Sequence, residues 1–323
     1  MRKINGVPVE AHTDLSNLTG GEVLKWDSTN TLMAWEDQDS TGYVPVVWYG
    51  GRGVFGGGAI SSIINVMQYI TIASASNSTD FGDLSSTRRY MGGCSNGTRG
   101  VWGGGETGFT NIIEYITIST PSNTTDFGDL TAARAYAGSC SDGTYGVWAG
   151  GYGGTTVDII DYITISTTSN ATDFGNLTVA RYGAGALSDS TRGVFGNDST
   201  IDYITIATPS NATDFGELSV NRSAPAGCSD GSRGLFAGGG SGYADIIDYI
   251  TIQTTGNATD FGNLTVGRVY LGACSDATKG VFGGGENTTT DTIDYVTIQT
   301  TGNATDFGNL LASTKHLTAL SGD

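Results

Sequence analysis

The phrase Asn-Ala-Thr-Asp-Phe-Gly-Asn-Leu occurs word for word from Asn170, Asn257 and Asn303, and near-copies begin at Asn77, Asn123 and Asn211. Its Asp falls at 80, 126, 173, 214, 260 and 306, at intervals of 46, 47, 41, 46 and 46 residues. A fixed period of this size marks a chain that stacks copies of one supersecondary unit to bury a continuous core. It also argues against reading Asp-Phe-Gly as a kinase-like metal motif, because an active site needs its motif once.

Each unit carries four short apolar runs in the same order. In the unit that ends with the Asp173 phrase, residues 134–140 are mostly small and 145–151 close on a Gly pair. Residues 159–166 are rich in β-branched side chains, which suit a pleated surface, and 171–179 hold the phrase itself. Asn96-Gly97, Asp142-Gly143 and Asp230-Gly231 lie between the first two runs and are strong hairpin signals. Hairpins make neighbouring strands antiparallel, which excludes a parallel β-solenoid. Four antiparallel strands in six copies predict an all-β fold, a six-bladed β-propeller over residues 43–323. A short β-rich segment, 1–42, precedes it.

The small residues of the first run suit strands that converge on an axis. Aromatics recur on the other three: Phe55, Trp102, Trp148, Phe195, Phe236 and Phe282 on the second, Tyr69, Tyr115, Tyr162, Tyr203, Tyr249 and Tyr295 on the third, and Phe81, Phe127, Phe174, Phe215, Phe261 and Phe307 on the fourth. All eighteen are expected in the core. Two stretches compete to complete the first blade, 44–49 and 315–320. The C-terminal one is favoured, because it joins the ends of the ring and removes two free sheet edges.

The net charge of −17 argues against a nucleic-acid partner, which requires clustered Lys and Arg, and against docking on anionic lipid. No run approaches 18 apolar residues, so no membrane insertion is expected. The start of the chain is too short and polar in its apolar stretch for a signal peptide, so the Asn-x-Thr triplets are read as turns rather than glycan sites. Cys94, Cys140, Cys228 and Cys274 hold one equivalent position in four units. Equivalent points around a ring lie too far apart to be bridged, and buried free thiols are expected. With only two His (His12, His316) and no Cys-x-x-Cys, neither a metal site nor a cofactor is expected, although the paired acids Asp80/Asp83 and Asp126/Asp129 leave calcium open. No catalytic residues are expected either, since no base stands beside a distinctive nucleophile. One Arg per unit (Arg89, Arg134, Arg181, Arg222, Arg268) follows the repeated Asp by eight or nine residues. A structural Asp–Arg pair repeated around the ring is expected from it, in preference to an anion-binding cluster.

The order Arg, small-residue strand, Gly doublet, Tyr and outer aromatic resembles the kelch repeat over about residues 44–323. The departures are Phe where that repeat usually has an outer Trp, and Gly triplets in most units. Leu15, Leu18, Gly21, Val23, Leu24, Trp26, residues 27–30 and Trp35 resemble short modules of bacteriophage tail fibres. The Thr-Asp-Phe-Gly-Asp-Leu and Tyr-Ile-Thr-Ile phrases are similar to those of structural proteins of marine phages, especially phages of cyanobacteria. These resemblances imply a non-enzymatic virion protein, a tail fibre or similar appendage. Residues 1–42 would fix it to other virion proteins, as a homo-oligomer on the particle, and the propeller would face the host surface. The alternatives are a head-decoration or tail-assembly protein that binds only virion proteins, and a glycan-cleaving propeller enzyme.

The loop between the second and third runs varies while the strands stay constant, and it absorbs the one large deletion, at residues 196–200. Variable loops on a rigid scaffold are where binding usually sits. Phe109, Tyr152 and Tyr243, flanked by Asn, Asp and Thr, are the candidate ligand-binding residues, with a host-surface polysaccharide as the expected ligand.

Overall fold

A computed structural model describes residues 50–322, apart from Ser241, Thr288 and Thr289, and the backbone of four strands nearer the N-terminus. The chain divides into two units, Met1–Val46 and Val47–Asp323. In the first, Lys3–Ile4 pairs with Val7–Pro8, and Glu22–Asp27 pairs antiparallel with Leu32–Asp37, setting Leu24 opposite Trp35 and Trp26 opposite Met33. Leu15, Leu18 and Gly21 lie outside the described residues.

The second unit is a six-bladed β-propeller. Blade 3 shows the pattern: inner strand Gly138–Ser141, second strand Tyr145–Ala149, third strand Ile159–Thr164 and outer strand Thr172–Asn176, each antiparallel to the next. Blades 2, 5 and 6 repeat it from inner strands Gly92–Ser95, Ala226–Ser229 and Gly272–Ser275. Blade 1 is completed from the far end of the chain. Its inner strand Thr318–Gly322 pairs with Arg52–Gly56, setting Thr318 opposite Gly56 and Gly322 opposite Arg52. The competing stretch 44–49 lies outside the described residues. In blade 4 the second and third strands run together as Arg192–Thr205, paired with Gly185–Ser188 and Thr213–Arg222.

Antiparallel order puts the second-to-third loops and the outer-to-inner connections at one end of the ring, here the upper face. The inner-strand hairpins lie at the lower face.

Contacts between blades explain why the sequence repeats. The Asn of each phrase accepts, through Oδ1, the backbone N–H of the residue that follows the Gly of the phrase in the blade before it. Asn170 takes Asp129 N–H at 3.1 Å, and Asn77 closes the circle on Asn309 at 3.0 Å. The Gly of the phrase makes room for that turn: a Cβ at Gly128, whose φ is +145°, would stand 2.4 Å from Ser169 O. Nearer the axis each Cys lies over a Gly of the next blade. A Cβ on Gly146 would be 2.6 Å from Cys94 Sγ. Leu187 and Leu320 take the same place over Gly234 and Gly100. All four thiols are free and buried, and burial pushes the Cys274 thiol up to about 12. At the lower end Ser95, Ser141, Ser188, Ser229 and Ser275 each donate a hydroxyl to the equivalent Ser carbonyl of the preceding blade at 2.5–2.7 Å.

The second- and fourth-strand aromatics are core, at 0–3% exposure. The third-strand tyrosines are only half buried, which corrects the expectation for those six. Five of the rings lie under a cation from the second strand, as Arg99 lies 4.2 Å from the centroid of Tyr115; in blade 3 Tyr145 takes that place, edge-on to Tyr162. Arg99 then donates to Ile165 O of the next blade.

The repeated ionic pair exists, with two corrections. The acid is not the Asp of the phrase, which is exposed in all six copies, but the residue before the third-strand Tyr. The pairs are Arg134–Asp161, Arg181–Asp202, Arg222–Asp248 and Arg268–Asp294, at 2.8–2.9 Å and almost fully buried. In blade 2 the partner of Glu114 is Arg88, not Arg89. Arg134 also donates to Gly150 O and Trp148 O of blade 3, while its carbonyl accepts Gly105 N–H of blade 2. Each Arg thus pins the connection to the blade it leaves and the blade it enters. Burial draws the Arg88 guanidinium down to about 10, which leaves it charged at neutral pH.

Candidate functional site

The upper end of the axis is where the repeat stops repeating. Two residues beyond each buried Arg, and beyond Thr314 in the connection into blade 1, the chain adopts a left-handed backbone just before the inner strand. The residues there are Tyr90, Tyr136, Gly183, Ala224, Tyr270 and His316, with φ between +53° and +76°. For a non-glycine residue this conformation costs roughly 1–2 kcal/mol. It turns the side chains inward, so that four rings meet over the axis. Tyr90 is sandwiched between Tyr136 and His316, with centroids 3.8 and 4.2 Å away. Tyr270 packs edge-on against Tyr90 at 5.2 Å and reaches Tyr136, on the opposite blade, at 6.1 Å. Hydrogen bonds run around the same circle, from Gly183 N–H to Tyr136 O, Tyr136 N–H to Tyr90 O, Tyr90 N–H to His316 O and His316 N–H to Tyr270 O. At Ala224 the N–H goes instead to Asn197 Oδ1.

Ion pairs support one side of this cap. His316 Nε2 lies 2.9 Å from Glu286, which also accepts from Lys315 at 2.8 Å. Burial holds the His316 imidazole below its usual range, partly offset by Glu286. Hydrogen bonds from Lys315 and His316 hold the Glu286 carboxyl below the usual carboxylate range. Arg89, released from the role expected of it, pairs with Glu106 at 3.1 Å and lies over Tyr90. Burial raises the phenols of Tyr90, Tyr136 and Tyr270, so all three stay neutral.

Beneath the cap is an axial cavity of about 210 Å³. Its walls are mostly the Gly, Ala, Ser and Cys of the six inner strands, with Leu187, Thr318 and Leu320, and among the described residues no Asp, Glu, Lys or Arg lines it.

Blade 4 is where the cap is incomplete. In the other five blades the residue after the buried Arg, or its equivalent, is bridged by the upper loop of the blade being entered: Arg89 with Glu106, Ala135 with Tyr152, Val269 with Glu286, Lys315 with Ala59, and Ser223 O with Gly240 N–H. The merged strand of blade 4 has no such loop, and the residue in that place, Tyr182, is 45% exposed. The next residue is Gly183, which brings no ring to the axis.

The candidates Phe109 and Tyr152 come together. Their rings are 5.5 Å apart, Tyr152 is 6.0 Å from Tyr182, and Tyr182 is 5.6 Å from Tyr136. An edge-to-face row therefore runs from the blade 2 loop to the axis. Tyr243 is not part of it. It stands 40% exposed on the blade 5 loop, on the other side of blade 4, and among the described residues no ring contact joins it to the row. Tyr182 and the four cap residues were missed in the sequence, though aligning the units on Arg88 rather than Arg89 brings the cap positions into one column. Among the described residues no three His, Cys, Asp or Glu group to hold a metal ion.

Scanned against protein-family models and against curated protein sequences, the chain matches none.

Proposed function

We propose that this chain is a non-enzymatic virion component, a tail fibre or similar appendage whose kelch-like propeller recognises neutral carbohydrate on a host surface. Residues 1–42 would attach it, as an oligomer, to other virion proteins. One observation carries the recognition reading: Phe109, Tyr152 and Tyr182 form a half-exposed aromatic row at the one blade whose upper loop is missing. Aromatic faces with a polar edge suit sugar rings, which present C–H on one side and hydroxyls around the rim. The strongly acidic chain disfavours an anionic polymer as the ligand. The ion pairs that a catalytic reading would need obey the repeat and are spent on holding connections.

The test is the full-length protein on a printed array of defined oligosaccharides, beside a Phe109→Ala/Tyr152→Ala/Tyr182→Ala variant and a separate Tyr243→Ala variant. The expected result is binding by the parent, lost at least tenfold in the triple variant and kept in Tyr243→Ala. The virion reading is tested by locating the chain in whole particles with an antibody. A second reading, a head-decoration or tail-assembly protein that binds only virion proteins, draws on Val179, Val220 and Val266. These hold one position in three successive connections and are 61%, 47% and 41% exposed, as a protein contact would require. Absence of any glycan binding would favour it.

A further inference from the structure

Three departures from the repeat fall together. The upper loop of blade 4 is deleted, the connection into that blade exposes Tyr182, and Gly183 stands where four other blades place a ring. Neutral drift would scatter such departures around the ring. Here they fall side by side, Tyr152 and Tyr182 on the upper face and, next in the chain, Gly183, which lines the axial cavity with Tyr136 and Gly185.

We infer that the propeller reads the end of a glycan chain: one terminal sugar enters the axial cavity past Gly183, and the units behind it lie on Tyr182 and Tyr152. This rests on the carbohydrate reading above and deepens it. The size of the cavity favours one unit. About 210 Å³ falls below the ~300–1,000 Å³ of pockets that enclose drug-sized ligands. The chemistry of the walls selects a neutral one, because among the described residues no Asp, Glu, Lys or Arg lines the cavity and a buried ionic group there would lack a partner. Polar groups are nevertheless present. Ser95, Ser141 and Ser275 line the cavity, and their hydroxyl oxygens, which donate to the preceding blade, keep acceptor capacity for sugar hydroxyls. Tyr90, Tyr136 and Tyr270 offer aromatic surface above.

The repeat itself supplies the variant that tests this. Gly183→Tyr restores the ring found at the equivalent positions, where tyrosine already occupies the same left-handed backbone at φ +56° to +61°. The added Cβ would be 3.3 Å from the Ala224 methyl, a contact relieved by a shift of a few tenths of an ångström. Gly183→Tyr is expected to melt like the parent yet lose binding at least tenfold on the oligosaccharide array. A ligand-side experiment on the unmodified protein gives a second reading: the bound oligosaccharide is coupled to the surface through one end or through the other. Recognition of a chain end predicts binding in one orientation only. Binding in both orientations, or full binding by a folded Gly183→Tyr, would overturn the end-reading mode and leave lateral binding on the aromatic row. Binding to no oligosaccharide at all would remove the carbohydrate reading and this inference with it.

Discussion

Five of the six connections between blades are held by a buried Arg and a buried acid; the sixth, from blade 6 into blade 1, has neither. Thr314 stands in the place of the Arg and Gln68 in the place of the acid, both buried. The amide oxygen of Gln68 accepts the Ser78 hydroxyl and the Leu311 N–H, each at 2.7 Å, doing with a neutral group what Glu114 does for Thr124 and Ser85 in blade 2. The lesson is that the pair changes as a unit. A lone buried ion is costly, whereas a matched charged pair and a matched neutral pair are each self-consistent. The neutral version sits in the blade whose inner strand comes from the far end of the chain. There connectivity is weakest and strand pairing must carry the closure.

The contrast can be broken most severely at that closure. Deleting residues 315–323 removes the inner strand of blade 1, uncovers the edge of Arg52–Gly56 and takes Lys315 and His316 from the cap. We expect loss of the cooperative unfolding transition of the propeller in calorimetry. A truncated chain that melts like the full one would mean that residues 44–49 can take the strand's place.

A smaller effect is expected from converting a charged connection into the neutral kind. Arg134→Thr alone strands Asp161 in the core and should cost about 3–5 kcal/mol in chemical denaturation. Adding Asp161→Gln, which recreates the Thr314–Gln68 arrangement, should recover more than half of that loss. Thr314→Ala, with no ion to strand, should cost about 1 kcal/mol, on the order of one neutral hydrogen bond. Equal losses at the two connections would show that charge is not what separates them.

The smallest effect concerns pH. His316 is held below the ordinary histidine value of 6.5 by burial, so on acidification the unfolded chain takes up this proton before the folded one does. Its contribution is therefore fully present above 6.5 and is lost as pH falls through the lower folded value. Melting temperature measured between about pH 7.5 and pH 5.5 should fall less in His316→Gln than in the parent. An identical fall would place the sensitivity elsewhere.

Most of the architecture was legible because it is written six times. Hairpin dipeptides, β-branched third strands and the period of the Asp-Phe-Gly phrase each pointed to the same propeller, and Phe81 and Trp102 are buried where expected. The ionic pair was half legible. Spacing identified the Arg in four connections and its neighbour, Arg89, in the fifth, but the acid lies across the sheet, and its position reads Gln68, Glu114, Asp161, Asp202, Asp248 and Asp294, which hides it from a search for one repeated letter. The candidate site was the least legible. Phe109 and Tyr152 could be picked out as aromatics on a variable loop, and the structure brings them together. Tyr182 is exposed because of a loop that is not there, and nothing in its own neighbourhood announces that. The rings of Tyr90, Tyr136, Tyr270 and His316 meet because of a left-handed turn, which non-glycine residues rarely advertise.

The pairing of Thr318 with Gly56 also sets an order of events during synthesis. Blades 2 to 6 take all their strands from consecutive stretches, so each can assemble soon after its outer strand emerges from the ribosome. Blade 1 is begun first and finished last. Its second strand must wait, edge unpaired, while 262 further residues are made. An edge exposed for that long invites pairing with a neighbouring chain, so the first-made blade is the one at which two growing copies would tangle by exchanging their closing strands. Yield at high expression should therefore depend more on Arg52–Gly56 than on any strand of the other five blades.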